Sequence, residues 1–189
     1  MQLLEANHLG IARSYPALPE SAGHHACLIA GLGNGLLRDD GIGVHAIREL
    51  IKAPPAEALL LEVGTDVFSA VSWLESVSHV LVIDAMDAGG APGTLYRCAA
   101  EDVQVNPLWV SLHELGLLSV LEFVPKSNWP EITVLGVQPA VIDYGLELSP
   151  VLEASLPRVV EAVRTIVTTW GLGWTRPLNF HVPICQAVA

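Results

Sequence analysis

Basic residues are scarce in this sequence, which has 9 Lys and Arg against 20 Asp and Glu among 189 residues. The formal net charge of -11 at pH 7 leaves no broad basic surface, so we expect no binding to nucleic acid or to an anionic membrane. Charged residues also interrupt every apolar run before the roughly eighteen residues that a membrane-spanning helix needs. The composition therefore predicts no membrane span, and partners that are neutral or basic.

Cysteine is rarer still, with three residues in the chain. Cys27, Cys98 and Cys185 lie far apart, in neither a disulfide framework nor a thiolate zinc pattern, and are expected to be small buried hydrophobic residues. The first 25 residues contain polar breaks and two prolines, and no continuous apolar segment of signal-peptide length. These features predict a cytoplasmic protein.

Apolar residues make up 51% of the chain, and their spacing alternates between two patterns. Continuous short runs, typical of buried strands, alternate with segments of helical periodicity. This order predicts an α/β fold of three α/β/α layers, with a twisted, mostly parallel sheet of about five strands and an edge strand that can be antiparallel. Predicted strands cover residues 26–32, 58–63, 79–86, 94–99 and 131–137, and predicted helices cover residues 41–51, 66–77, 113–123 and 149–170.

The alternating pattern predicts one α/β domain over residues 26–170. Residues 1–25 are predicted to form an N-terminal arm and residues 171–189 a C-terminal tail, because neither segment has strong periodicity. The last predicted helix begins at the Ser149-Pro150 pair, a common helix start, and a bend is expected at Pro157.

A glycine-rich turn, GLGNGLLRDDGIGV over residues 31–44, follows the first predicted strand. The dinucleotide fingerprint G-x-G-x-x-G needs a third glycine or alanine, and Leu36 stands at that position. No Lys-Ser or Lys-Thr pair is present for a P-loop. These departures disfavour a nucleotide-binding enzyme, and the glycines are better explained by tight turns and close helix–strand packing.

Two adjacent aspartates, Asp39 and Asp40, end this turn. One of them is expected to cap the helix that begins at Gly41 or Ile42. A single aspartate is enough for a cap, and the second would repel the first unless a cation, a basic partner or water compensates. The pair therefore suggests a role beyond capping.

Three candidate metal ligands lie where an open parallel sheet binds ligands, beyond the carboxyl ends of its strands. Asp40 follows the first strand and Asp84 ends the third, HVLVID. In SLHEL, Ser111 and Glu114 form a capping box that places His113 in the first turn of a helix, where the helix dipole keeps the imidazole neutral. Two carboxylates and one imidazole from three loops suit a divalent ion such as zinc or nickel.

Each of these residues also has a plain structural interpretation. Asp40 fits a helix cap, Asp84 a strand-end turn and His113 a hydrogen-bonded core histidine. Asp87 is nearer a turn than a ligand, but it is the strongest rival to Asp84. His45 fits a surface histidine. Residue chemistry alone therefore indicates a metal-binding hydrolase or a metal sensor of α/β fold, and leaves the choice open.

Four blocks of the sequence resemble the hydrogenase maturation proteases: GLGNGLLRDDGIGV, VIDAMDAGGAPGTL, SLHELGLLSVLEF and GVQPAVIDYGLELSP. Their order and spacing match over residues 26–170. The resemblance implies an endopeptidase that removes the C-terminal extension of a nickel-iron hydrogenase large-subunit precursor after nickel insertion. It also implies that Asp40, Asp84 and His113 are nickel ligands, because they occupy the positions of the family's two acidic ligands and its histidine.

The resemblance further implies that the nickel is carried by the precursor, although zinc or cadmium can occupy such a site. Asp84 and His113 are expected at exposed ends of their elements. Asp39 is expected to assist as a base or to orient a neighbour, with capping as the alternative. No serine or cysteine stands in an evident nucleophile motif, which favours attack by water. The alternative function is a non-proteolytic, metal-sensing or chaperone-like binder of the precursor.

Overall fold

The computed structural model describes residues 27–54, 58–74, 76–100, 129–171 and 186–188. The strands are β1 (Cys27–Leu32), β2 (Ala58–Gly64), β3 (His79–Ala85), β4 (Leu95–Ala99), β5 (Glu131–Val137) and β6 (Gln186–Val188). The helices are α1 (Ile42–Ile51), α2 (Val71–Leu74) and α3 (Pro150–Gly171), and single 3-10 turns at Arg38–Gly41 and Val67–Ala70 precede α1 and α2. None of these helices is long and apolar enough to cross a membrane.

The six strands form one sheet in the order β2-β1-β3-β5-β4-β6. β1 pairs in parallel with β2 and β3, and β3 pairs in parallel with β5. β4 is antiparallel to both β5 and β6. The predicted α/β fold with a mostly parallel sheet is confirmed, and its antiparallel pairing lies at one edge. β6 falls in the segment predicted as a C-terminal tail and pairs with β4; the domain boundaries stay a prediction. Cys27 is free and buried, as expected, whereas Cys98 in β4 is buried but disulfide-bonded, so the expectation is wrong for Cys98.

The central strand β3 is buried on both faces, as its continuous apolar sequence predicts. Val80 and Val82 contribute to an apolar cluster with α2, whereas Leu81 and Ile83 contribute to the opposite cluster. Side chains of α1 and α3 complete that second cluster. Helices therefore cover both faces of the sheet, as three α/β/α layers require.

Two predicted helices differ in detail. The segment 66–77 forms a 3-10 turn followed by the short α2, and Ala70 and Leu74 are its buried helical residues. α3 continues through Pro157 to Gly171. The helix predicted over residues 113–123 lies outside the described residues.

Gly43 brings α1 into direct contact with the sheet. A Cβ at this position would overlap the carbonyl oxygens of Ile83 and Leu32, which belong to two buried strands. Because neither backbone can move away, we expect Gly43→Ala to lower the free energy of unfolding by about 3 kcal/mol. Urea denaturation measures this, with Gly35→Ala as the control because a Cβ there meets nothing within 4 Å. Equal stability of the two variants would show that this close packing is unimportant.

Candidate active site

The carboxyl ends of β1 and β3 meet at Gly33, which follows β1. This glycine has a φ of 109°, and a Cβ on it would overlap the Asp40 carbonyl oxygen and lie 3.4 Å from Asp84 Oδ1. We call residues 33–41 the Asp40 turn. This turn and the Asp84 carboxylate therefore both adjoin the space beside Gly33. A side chain at this position would be strained and would fill part of that space.

Asp84 is the penultimate residue of β3 and has no exposed surface. Its Oδ1 accepts a hydrogen bond of 2.8 Å from the backbone N–H of Ala85. The expectation of an exposed position is wrong for Asp84, because β3 lies between β1 and β5 in the sheet and is covered on both faces. The backbone donor holds the carboxylate in one orientation, as carboxylates that bind metal ions usually are.

Asp40 closes the glycine-rich turn. Its Oδ2 accepts a hydrogen bond of 2.8 Å from the backbone N–H of Asn34, and Asn34 Oδ1 accepts one of 3.0 Å from Leu36. The predicted capping role is wrong for both aspartates, since the N-cap of α1 is Gly41 and no side chain caps it. The 3-10 turn leads directly into α1, and the N–H of Ile42 is satisfied by the Asp39 carbonyl oxygen.

Asp39 is fully buried and holds the loop between β5 and α3. Its Oδ2 accepts hydrogen bonds from the backbone N–H groups of Ala140 and Val141, both 2.9 Å, and from the Ser149 hydroxyl, 2.8 Å. Its Oδ1 accepts one of 2.7 Å from the Ser149 N–H. Burial by itself raises the pKa of Asp39, but these hydrogen bonds outweigh it and lower the pKa below 3.8.

A buried carboxylate with both oxygens engaged in this way is unsuited to act as a general base, which must reach a proton on the substrate. The geometry fits the other expected role of Asp39, that of orienting a neighbour. Ser149, interpreted from the sequence as a helix start, uses its hydroxyl for this contact. Sequence reasoning missed the contact because the two residues are 110 positions apart.

Asp87, the rival to Asp84, is exposed and belongs to the turn after β3. Its Oδ1 accepts hydrogen bonds from Gln138 Nε2, 2.9 Å, and from the Gly89 N–H, 3.1 Å. The Gln138 bond, followed by that of Gly89, lowers the pKa of Asp87. Gln138 is buried and also accepts bonds from the backbone of Ala88 and Gly90. Sequence reasoning gave Gln138 no role, although it sets the shape of this turn.

The third predicted ligand, His113, lies outside the described residues, as do Ser111 and Glu114. Within the described ranges no three His, Cys, Asp or Glu side chains converge as a metal site would require. His45 is half-buried in α1. Burial lowers the pKa of His45 and the charge of Arg48 lowers it further, with partial opposition from the Leu146 backbone and Glu62.

The sequence and the fold match one family of peptidases. The family model for hydrogenase maturation protease matches residues 44–166. The hydrogenase expression/formation protein HupD of Rhodobacter capsulatus is 32% identical over 79% of this chain and 74% of its own length. HupD of Rhizobium leguminosarum bv. viciae is 31% identical over 89% of this chain and 87% of its own length.

Solved structures agree with these relatives. The hydrogenase maturating endopeptidase HybD of E. coli superposes with a TM-score of 0.69 at 28% identity, covering 77% of this chain and 94% of its own. The [NiFe] hydrogenase maturation protease HybD of Thermococcus kodakarensis superposes with a TM-score of 0.66 at 27% identity, covering 75% and 99%. The chain is a peptidase and belongs to the hydrogenase maturation protease family.

Proposed function

We propose that this protein is an endopeptidase that removes the C-terminal extension of a nickel-iron hydrogenase large-subunit precursor after nickel insertion. The observation that carries the proposal is the approach of the Asp40 turn and the buried Asp84 carboxylate around Gly33, at the carboxyl edge of the sheet. This is the edge at which open α/β sheets bind ligands. Family membership supplies the reaction class, peptide hydrolysis.

Nickel enters the proposal as part of the substrate. Asp40, Asp84 and His113 would bind a nickel ion that the precursor carries, since two carboxylates and an imidazole suit a borderline divalent ion. The backbone N–H groups of Asn34 and Ala85 orient the two carboxylates. Zinc or cadmium would occupy the same ligands. Because the ligands come from separate loops and leave positions open, the protein should hold little metal when the precursor is absent.

A divalent ion at these ligands would polarise the scissile carbonyl or activate a water molecule for attack. On this mechanism Asp39 takes no proton and acts by holding the loop between β5 and α3 against the Asp40 turn. We further propose that the protein works in the cytoplasm and binds no nucleic acid, in keeping with its net charge of -11.

The test compares two preparations of one precursor, nickel-loaded and metal-free, each incubated with the purified protein. We expect mass spectrometry to show loss of the C-terminal extension from the nickel-loaded precursor and at least about a tenfold slower loss from the metal-free one. Equal cleavage of both would contradict nickel recognition. Binding of the nickel-loaded precursor without any mass loss would contradict the endopeptidase and favour the non-proteolytic binder.

A further inference from the structure

Exposed apolar side chains are concentrated beside the Asp40 turn. Of the nine large hydrophobic residues that are exposed in the described part of the chain, five lie on the Asp40 turn or on the loop between β5 and α3. We call these five the apolar rim: Leu36, Val141, Ile142, Tyr144 and Leu146, with exposures of 61, 38, 55, 87 and 68%. Single exposed hydrophobic residues are ordinary, but a cluster of them on a soluble domain marks an interaction site.

Hydrogen bonds hold the apolar rim in place. The Arg38 N–H donates to the Gly145 carbonyl oxygen at 3.0 Å, and the Gly145 N–H donates to the Leu36 carbonyl oxygen at 3.0 Å. The buried Asp39 carboxylate binds the backbone at both ends of the same loop. A surface that is ordered before binding loses little conformational entropy when a partner docks, so its apolar area contributes more fully to affinity.

Arg38 stands beside the apolar rim as an unusual cation. Its φ of 51° is rare for a residue with a side chain, and its stem crosses Gly145, where a Cβ would lie 2.9 Å from Arg38 Cγ. Its Nε is buried with no hydrogen-bond partner, and it forms no ion pair with the described residues. The Arg38 guanidinium is therefore a positive charge without an ion pair among the described residues, in a chain of net charge -11. Such a group is complementary to a carboxylate of another molecule.

We propose that the apolar rim and Arg38 dock the segment of the precursor that flanks the scissile bond, with apolar side chains on the rim and a carboxylate on the Arg38 guanidinium. The inference rests on the proposed function. Arg38 and Asp40 belong to one 3-10 turn, so a polypeptide lying on the rim continues directly to Asp40 and Asp84. The rim thereby determines which precursor is accepted, and the metal ligands act on the bond that it presents.

The first test removes apolar area from the rim. We expect the double variant Tyr144→Ser/Leu146→Ser to raise KM for the nickel-loaded precursor about tenfold or more, because that loss of apolar contact weakens docking. Its kcat should stay unchanged, since neither residue belongs to the metal ligands. Ile51→Ser is the matched control, because Ile51 is 57% exposed and lies at the C-terminus of α1, away from the carboxyl ends of the strands.

The second test removes the charge. Arg38→Gln should raise KM several-fold and weaken the dependence of KM on salt, because salt screens the attraction between the half-buried guanidinium and a carboxylate of the precursor. Arg38→Lys keeps the positive charge, so its KM and the salt dependence of its KM should lie between those of Arg38→Gln and the unsubstituted protein. Arg158→Gln is the control, as Arg158 is an exposed arginine on α3 without an ion pair among the described residues.

Binding measured separately keeps this inference distinct from the proposed function. The Kd of the metal-free precursor, which is expected to be cleaved slowly, is determined with the protein that carries all three proposed metal ligands, with and without the rim substitutions. A wild-type protein that binds the precursor but never cleaves it contradicts the endopeptidase, whereas a rim-dependent Kd still supports the docking surface. An unchanged KM and Kd in the rim variants overturns the inference. So does a homodimer that light scattering shows to dissociate in those variants while KM is unaltered.

Discussion

Asp84→Asn is expected to reduce cleavage of the nickel-loaded precursor by at least about a hundredfold, because a neutral amide binds a divalent ion far more weakly than a carboxylate. The fold should survive, since an asparagine Oδ1 can still accept the hydrogen bond from the Ala85 N–H. We expect the free energy of unfolding to change by less than about 1 kcal/mol. Rates from mass spectrometry and a urea denaturation curve measure the two effects.

Asp40→Asn and His113→Ala are expected to reduce cleavage to a similar extent, since all three residues are proposed to bind one ion. Asp87→Asn is the matched control. It changes a nearby aspartate whose carboxylate is engaged by Gln138 and Gly89, so its cleavage rate should stay close to that of the wild type. Normal activity of Asp84→Asn or His113→Ala would contradict the proposed site. Loss of activity in Asp87→Asn alone would assign the ligand role to Asp87.

Asp39→Ala is expected to lower the free energy of unfolding by about 3 kcal/mol or more. The substitution leaves the buried donors of Ser149 without an acceptor and detaches the loop at Ala140 and Val141, and unsatisfied buried donors each cost about 1–3 kcal/mol. Asp39→Asn should have about half this effect, because an amide oxygen can keep only the bonds on one side of the carboxylate. Urea denaturation measures both variants.

The difference in unfolding free energy between wild type and Asp39→Asn should depend on pH, because the pKa of Asp39 is lowered in the folded protein. A carboxylate whose pKa is lower in the folded state stabilises the protein fully above its unfolded pKa, here 3.8, and loses that contribution as the pH falls through the folded pKa. The difference between wild type and Asp39→Asn should therefore be largest near neutral pH and shrink in acid.

Asp66→Ala, at an exposed aspartate, is the control for Asp39→Ala and should change stability by about 0.5 kcal/mol or less. Equal stability of Asp39→Ala and Asp66→Ala would contradict the role assigned to Asp39.

The sequence alone determined β1 to β5, the parallel core of the sheet and the ends of the strands at which Asp40 and Asp84 lie, but not β6. Continuous apolar runs such as VLVI in β3 predict strands buried on both faces, and parallel strands joined by helices place their following loops at one edge. Leu36, which stands where the dinucleotide fingerprint G-x-G-x-x-G needs its third glycine, shows that this fingerprint is incomplete. These conclusions depend on periodicity and local turn chemistry, which act over a few residues.

Only the tertiary structure decided what the two aspartates of the turn contact. Either aspartate is a reasonable cap on local grounds, but Asp39 is engaged by Ser149, 110 residues away, and Asp40 by the turn itself. The apolar rim was likewise invisible, since the sequence shows that Tyr144 and Leu146 are apolar but not that they face solvent. The partners of a buried carboxylate and the exposure of a loop are set by how distant segments pack, which no local pattern of residues encodes.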